Sequence, residues 1–162
     1  MIRKTIIVTT ALLLAATCAF AAGSKKKEEP AKWAESYNQG VDQMKAGDFA
    51  AAQKSFEAAL AAKDDFAEAH NNLGFSLRKQ GDAHRDKALE HYNRALELNP
   101  KLAEAYMYRG VLYVLLGDEA KAKADHNTLA ELDGELAKAL LQVIATGEEP
   151  EGTAGLAGTW TN

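Results

Sequence analysis

The chain has one cysteine, Cys18, in 162 residues, so no intramolecular disulfide can brace it. Its three prolines, Pro30, Pro100 and Pro150, leave long stretches with no helix breaker. The longest apolar run, Ile6 through Ala16, falls short of the roughly 20 residues that cross a bilayer. No permanent membrane span is therefore expected in the mature chain. Positive charge is outnumbered, 19 Lys and Arg against 23 Asp and Glu, for a net charge of −4. That balance argues against phosphate backbones, so no nucleic-acid partner is expected. The four histidines, His70, His84, His91 and His126, contain no pair at the three- or four-residue spacing that a helical metal site favours.

What is present is enough for one compact domain, since 47% of residues are apolar and 26% charged. At the start, Arg3 and Lys4 precede the apolar run, and the small-residue triplet Ala19-Phe20-Ala21 follows it. This is the layout of a secretory signal peptide over residues 1–21, with cleavage after Ala21 and a periplasmic or secreted product. The remainder then carries no cysteine. Because those 21 residues hold two positive charges and no negative ones, its net charge is −6. The alternative is a lipoprotein anchored through Cys18, for which Ala15-Ala16-Thr17 is a poor lead-in.

Internal self-similarity dominates the rest. Gly40, Gly74 and Gly110 are spaced by 34 and then 36 residues, and so are Gly47-Asp48, Gly81-Asp82 and Gly117-Asp118. Ala52, Ala88 and Ala122 run 36 and then 34, which locates a two-residue insertion inside residues 82–87. A fixed period of this size with helix-forming composition means stacked helical hairpins sharing a continuous core. In the second period Ala69, Leu73 and Leu77 mark the buried stripe of a first helix. Gly81-Asp82 stops it, Gly by accepting a left-handed conformation and Asp by capping the next helix. Ala88, Tyr92 and Ala95 share a face of the second helix, which ends at Asn99-Pro100.

These residues resemble the tetratricopeptide repeat, here in what reads as an exported bacterial protein. Repeat one, residues 33–66, has Trp33, Gly40, Ala52, Phe56 and Ala59 at the family's places. Repeat two, residues 67–102, has Leu73, Gly74, Leu77, Ala88, Tyr92, Ala95 and Pro100. Repeat three, residues 103–134, keeps Gly110, Tyr113 and Ala122 but has His126 where an aromatic is usual, and packing is the role expected of it. Residues 135–146 fit a capping helix that covers Leu132, residues 22–31 a charged linker, and residues 147–162 a disordered tail in which Trp160 is unstructured. The resemblance implies an all-α fold: a right-handed superhelix of three helix-turn-helix repeats plus a C-terminal capping helix, residues 32–146.

It also implies a function, because such repeats line a concave groove with their first helices. The positions facing it here are Tyr37, Asn38 and Val41, then Asn71, Asn72, Phe75 and Arg78, then Met107, Tyr108 and Val111. Amides that donate and accept at once suit a peptide backbone, and aromatic anchors add apolar area at low entropic cost. For Val41 and Val111, packing between helices is an equal alternative. The expected role is a protein-interaction scaffold in the cell envelope, a monomer or weak homo-oligomer holding a protein or peptide partner. A carboxylate clamp found in some family members survives only at Asn72, and Glu104 stands where a cation is needed, which speaks against a chaperone-tail ligand.

Catalysis is not expected, and neither is a cofactor. His84-Arg85-Asp86 matches a kinase triplet, but no Gly-rich phosphate loop accompanies it, and a lengthened turn explains it. Glu57, Glu90 and Glu97 recur as solvated faces of repeated helices. A metal enzyme would rest on His84 and His91 alone.

Overall fold

A computed structural model describes residues 31–149. The segment expected to be a signal peptide, Cys18, all of the expected linker but residue 31, and Trp160 lie outside the described residues. Within them the chain forms seven α-helices: α1 (Lys32–Lys45), α2 (Phe49–Ala62), α3 (Ala67–Lys79), α4 (Arg85–Leu98), α5 (Ala103–Leu115), α6 (Glu119–Leu132) and α7 (Gly134–Thr146). No strand occurs among the described residues. Helices pair as α1 with α2, α3 with α4 and α5 with α6, and α1, α3, α5 and α7 follow one another along one side. The result is a right-handed superhelix of three hairpins closed by α7.

Turn chemistry sets the hairpins. Gly47 and Gly117 take positive φ, +79° and +76°, a conformation without steric cost only for glycine. The following Asp48 and Asp118 accept hydrogen bonds from Ala51 N–H at 3.0 Å and Lys121 N–H at 3.1 Å, capping α2 and α6. The middle hairpin departs from this pattern. Gly81 is at φ +109°, but Asp82 caps nothing. The extra residues form a 3-10 turn, Asp82–His84, and the Asp82 carboxylate pairs at 2.7 Å with Arg85 instead. The expected cap fails there because the insertion moves the start of α4 beyond the reach of Asp82.

Close approach of the paired helices explains the periodic glycines. A Cβ at Gly40 would lie 2.7 Å from the Phe56 ring, and one at Gly74 would lie 3.0 Å from the Tyr92 ring. At Gly110 the obstructing side chain is Leu140 of α7, 2.5 Å away, and not His126. His126 is half-buried on α6, with Nδ1 3.3 Å from Asn127 Oδ1. The packing role expected for His126 thus passes to the capping helix, whose Leu136, Leu140 and Val143 are buried. Burial of side chains this size stabilises by roughly 1.5–3 kcal/mol each. Leu132, expected beneath the cap, remains 38% exposed at the end of α6.

Polar ties add specificity to the apolar core. Arg109 of α5 donates two hydrogen bonds to Asp125 of α6, at 2.9 and 2.6 Å, and a third to Asn93 of α4 at 2.8 Å. One guanidinium thereby joins three helices across a hairpin boundary, with its donors largely satisfied.

Candidate partner-binding face

The first helices present three rows of side chains along one side of the superhelix. On α1, Asn38 is exposed and Tyr37 half-buried, with its ring against Phe66 at 4.6 Å and Phe56 at 5.7 Å. Its hydroxyl accepts from Asn72 Nδ2 at 3.1 Å, and burial, aided by the charge of Glu68, pushes its pKa up to about 12. Tyr37 therefore stays a neutral phenol. On α3, Asn71 Nδ2 donates to Asn72 Oδ1 at 3.3 Å, and Asn71 Oδ1 is buried without a hydrogen-bond partner among the described residues. The same holds for the Tyr108 hydroxyl of α5. Burial raises the pKa of Tyr108 well above the ordinary tyrosine range.

Of the ten residues expected to face a groove, eight are buried: Val41, Asn71, Asn72, Phe75, Arg78, Met107, Tyr108 and Val111. Asn72 is 1% exposed and ties α3 to α1, and Val41 and Val111 belong to the continuous core. Phe75 lies between Phe49 at 5.9 Å and Tyr108 at 4.8 Å. The structure thus brings these residues together on adjacent helices, but as a tightly packed lining more than an open furrow. A buried lining is built from α3 because that helix is flanked on every side, by α1, α2, α4 and α5.

Arg78 is the electrostatic centre of this lining. Its side chain is 2% exposed, and its guanidinium stands over the Phe75 and Tyr108 rings at 5.3 and 6.0 Å. Nη1 and Nη2 each donate at 2.9 Å to the carboxylate of Glu149, 71 residues away, and Lys79 Nζ lies 3.6 Å from the same group. Burial opposes the charge on Arg78, and the Glu149 carboxylate outweighs it, so the proton is held more firmly than in an arginine in water. Residues 147–149, read from the sequence as the beginning of a disordered tail, instead turn back onto α3. Gly147, at φ +72°, ends α7 and starts that turn.

Sequence reasoning did not find Glu149, because a single acidic residue after a helix carries no local signal of its partner. It also missed a histidine pair. His70 of α3 and His91 of α4 place Nδ1 atoms 3.0 Å apart, and His70 Nε2 lies 3.0 Å from the Asp64 carbonyl. The carbonyl only accepts, so His70 carries its proton on Nε2 and accepts on Nδ1 from His91 Nδ1–H. Burial lowers both pKa values, and at His91 the neighbouring His70 adds to it. His84, the residue that a metal enzyme would have needed beside His91, lies in the 3-10 turn. No group of three or more His, Cys, Asp or Glu suited to a metal occurs among the described residues.

Family models for the tetratricopeptide repeat match residues 37–85 and 86–117, together half the chain. The chain belongs to the tetratricopeptide repeat family. Tetratricopeptide repeat protein 36 of Xenopus tropicalis is 34% identical over 109 residues, 65% of this chain and 53% of that protein. The photosystem I assembly protein Ycf3 of Acaryochloris marina is 33% identical over 92 residues, 55% of this chain and 54% of that protein. This chain spans about half the length of these curated relatives. The first repeat domain of Spaghetti (RPAP3), solved with an HSP90 peptide, superposes with a TM-score of 0.65 at 21% identity, covering 72% of this chain and 92% of that one. That likeness establishes the fold. No helix among the described residues is long and apolar enough to cross a membrane.

Proposed function

We propose that this tetratricopeptide repeat protein is a non-catalytic scaffold of the cell envelope that holds a segment of a partner protein against its first helices. The observation that carries this reading is the lining itself. Asn71 Oδ1 and the Tyr108 hydroxyl are buried polar atoms without a hydrogen-bond partner among the described residues, on adjacent helices, an arrangement costing roughly 1–3 kcal/mol per group unless something satisfies them. A peptide backbone offers the N–H and C=O groups to do so, and half-buried Tyr37 offers accessible aromatic area beside them. Support by analogy comes from the Spaghetti domain, which is bound to a peptide. The envelope location rests on the signal-peptide layout of residues 1–21.

The substitutions that test the reading must avoid the core. Phe75 is 1% exposed, so a charged residue there would unfold the repeat and reveal nothing about binding. Asn38 is exposed on α1 and Glu104 half-buried on α5, the two outer first helices. Asn38→Trp combined with Glu104→Trp, which adds bulk without adding a cation, is expected to abolish capture of the partner from native cells while leaving helical circular dichroism unchanged. Undiminished capture by the folded variant refutes the scaffold reading. For the location, the mass of the mature N-terminus is expected to correspond to a chain starting at Ala22. A lipid-modified start at Cys18 would replace the free periplasmic form with the anchored one.

A further inference from the structure

We infer that Arg78 and Lys79 form a carboxylate subsite within the partner-binding face, that Glu149 occupies it as an internal stand-in, and that the partner is a peptide segment whose own Glu or Asp side chain displaces Glu149. The inference rests on the scaffold reading and names the chemistry of what is held.

Three observations meet here. The first is the geometry of the pair: Nη1 donates to one carboxylate oxygen and Nη2 to the other, each at 2.9 Å, the parallel two-bond arrangement that makes arginine selective for planar carboxylates. The second is the burial asymmetry. The Arg78 side chain is 2% exposed, whereas that of Glu149 is 23% exposed. The cation is a fixed part of α3, walled by Phe75 and Tyr108, and a buried guanidinium deprived of a counter-ion is strongly disfavoured. The anion comes from outside the repeats, two residues beyond the Gly147 turn that ends α7. The subsite therefore demands a carboxylate, and the carboxylate that fills it sits on a peripheral arm.

The third observation limits the ligand. Glu68 and Glu104 project their charge onto this face, since both raise the pKa of Tyr37, and Glu104 raises that of Tyr108. A polyanion or a phosphate dianion would meet that negative field, while a single carboxylate in an otherwise neutral segment meets mainly Arg78 and Lys79. The occupant is accordingly an acidic side chain presented along a peptide. An intramolecular competitor held on a short arm acts at an effective concentration on the order of millimolar. Glu149 thus sets a threshold that weak or uncharged segments do not cross.

The test uses the full chain and a defined probe: a fluorescein-labelled, C-terminally amidated peptide with the sequence of residues 145–152 but Gln at the positions of Glu148 and Glu151, so that Glu149 is its one carboxylate, added in trans and followed by fluorescence anisotropy. Glu149→Gln is expected to bind it about tenfold more tightly than the wild type, the scale of one charge-assisted contact made available. The same peptide with Gln at the position of Glu149 is expected to bind neither protein. Adding Arg78→Gln to Glu149→Gln is expected to abolish binding. Because Arg78 is buried and that variant can fail to fold, Lys79→Gln in the same background is a second measurement, expected to weaken binding and flatten its salt dependence.

Equal binding of the acidic and Gln peptides, or no gain on Glu149→Gln, overturns the proposal. So does loss of folding in Glu149→Gln, which would make Glu149 a structural strut. A peptide ending at Glu149 with a free terminal carboxylate that outbinds the amidated one overturns the side-chain assignment, and a phosphopeptide that does so overturns the carboxylate. If the peptide arms fail while Asn38→Trp with Glu104→Trp still abolishes partner capture, only the subsite is lost. If that capture also persists, the scaffold reading falls with it.

Discussion

Leu140→Ala is expected to be among the most damaging single truncations in the protein. Leu140 is fully buried on α7 and packs where the third repeat has only Gly110, so the opposite wall has no side chain that can relax inward. Truncations of buried leucine cost 2.7–5.0 kcal/mol in one well-studied series, rising with the cavity left behind. A site that cannot collapse belongs in the upper half, about 4 kcal/mol. His126→Ala removes a half-buried side chain with one long hydrogen-bond contact, and is expected to cost under about 1 kcal/mol. Urea unfolding followed by circular dichroism reads the difference. With a slope of about 2 kcal/mol per molar urea, Leu140→Ala lowers the midpoint by about 2 M and His126→Ala by less than about 0.5 M. If His126→Ala proves equally costly, or Leu140→Ala costs less than about 1.5 kcal/mol, the capping helix does not complete the third repeat as described.

Two further outcomes follow from the turns and the histidine pair. Asp48→Ala and Asp118→Ala are each expected to destabilise by about 1 kcal/mol through lost caps, whereas Asp82→Ala, which removes only an exposed ion pair, should cost less than about 0.5 kcal/mol in the same unfolding assay. The folded pKa values of His70 and His91 lie below the ordinary value of 6.5, so the unfolded chain binds more protons in this range. Stability from this pair is complete above about pH 6.5 and is lost as pH falls through the folded values. Thermal melts should record that decline, and His91→Phe should reduce it. A stability independent of pH between 7 and 5 would contradict the neutral pair.

The fold was legible because it is written in a period. Gly40, Gly74 and Gly110 recur at one place in α1, α3 and α5, and the Gly-Asp pairs mark turns whose chemistry is local. Reading failed where a position depends on a distant segment. Nothing near His126 announces that Leu140 takes the place against Gly110, and nothing near Asp82 shows that two inserted residues displace the helix it was to cap. The candidate face was only partly legible for the same reason. The family resemblance put Tyr37, Asn72, Phe75, Arg78 and Tyr108 on one face of the first helices, and the structure gathers them. Their depth, the His70–His91 contact across 21 residues and the pairing of Arg78 with Glu149 across 71 are tertiary facts without a sequence period.

The most direct measurement is site-specific photocrosslinking in native cells, with a photoreactive phenylalanine analogue at Asn38 on α1 or at exposed Glu97 on α4. A partner held against the first helices gives a discrete adduct from position 38 and none from position 97. An adduct from position 97 with none from position 38 would contradict that placement.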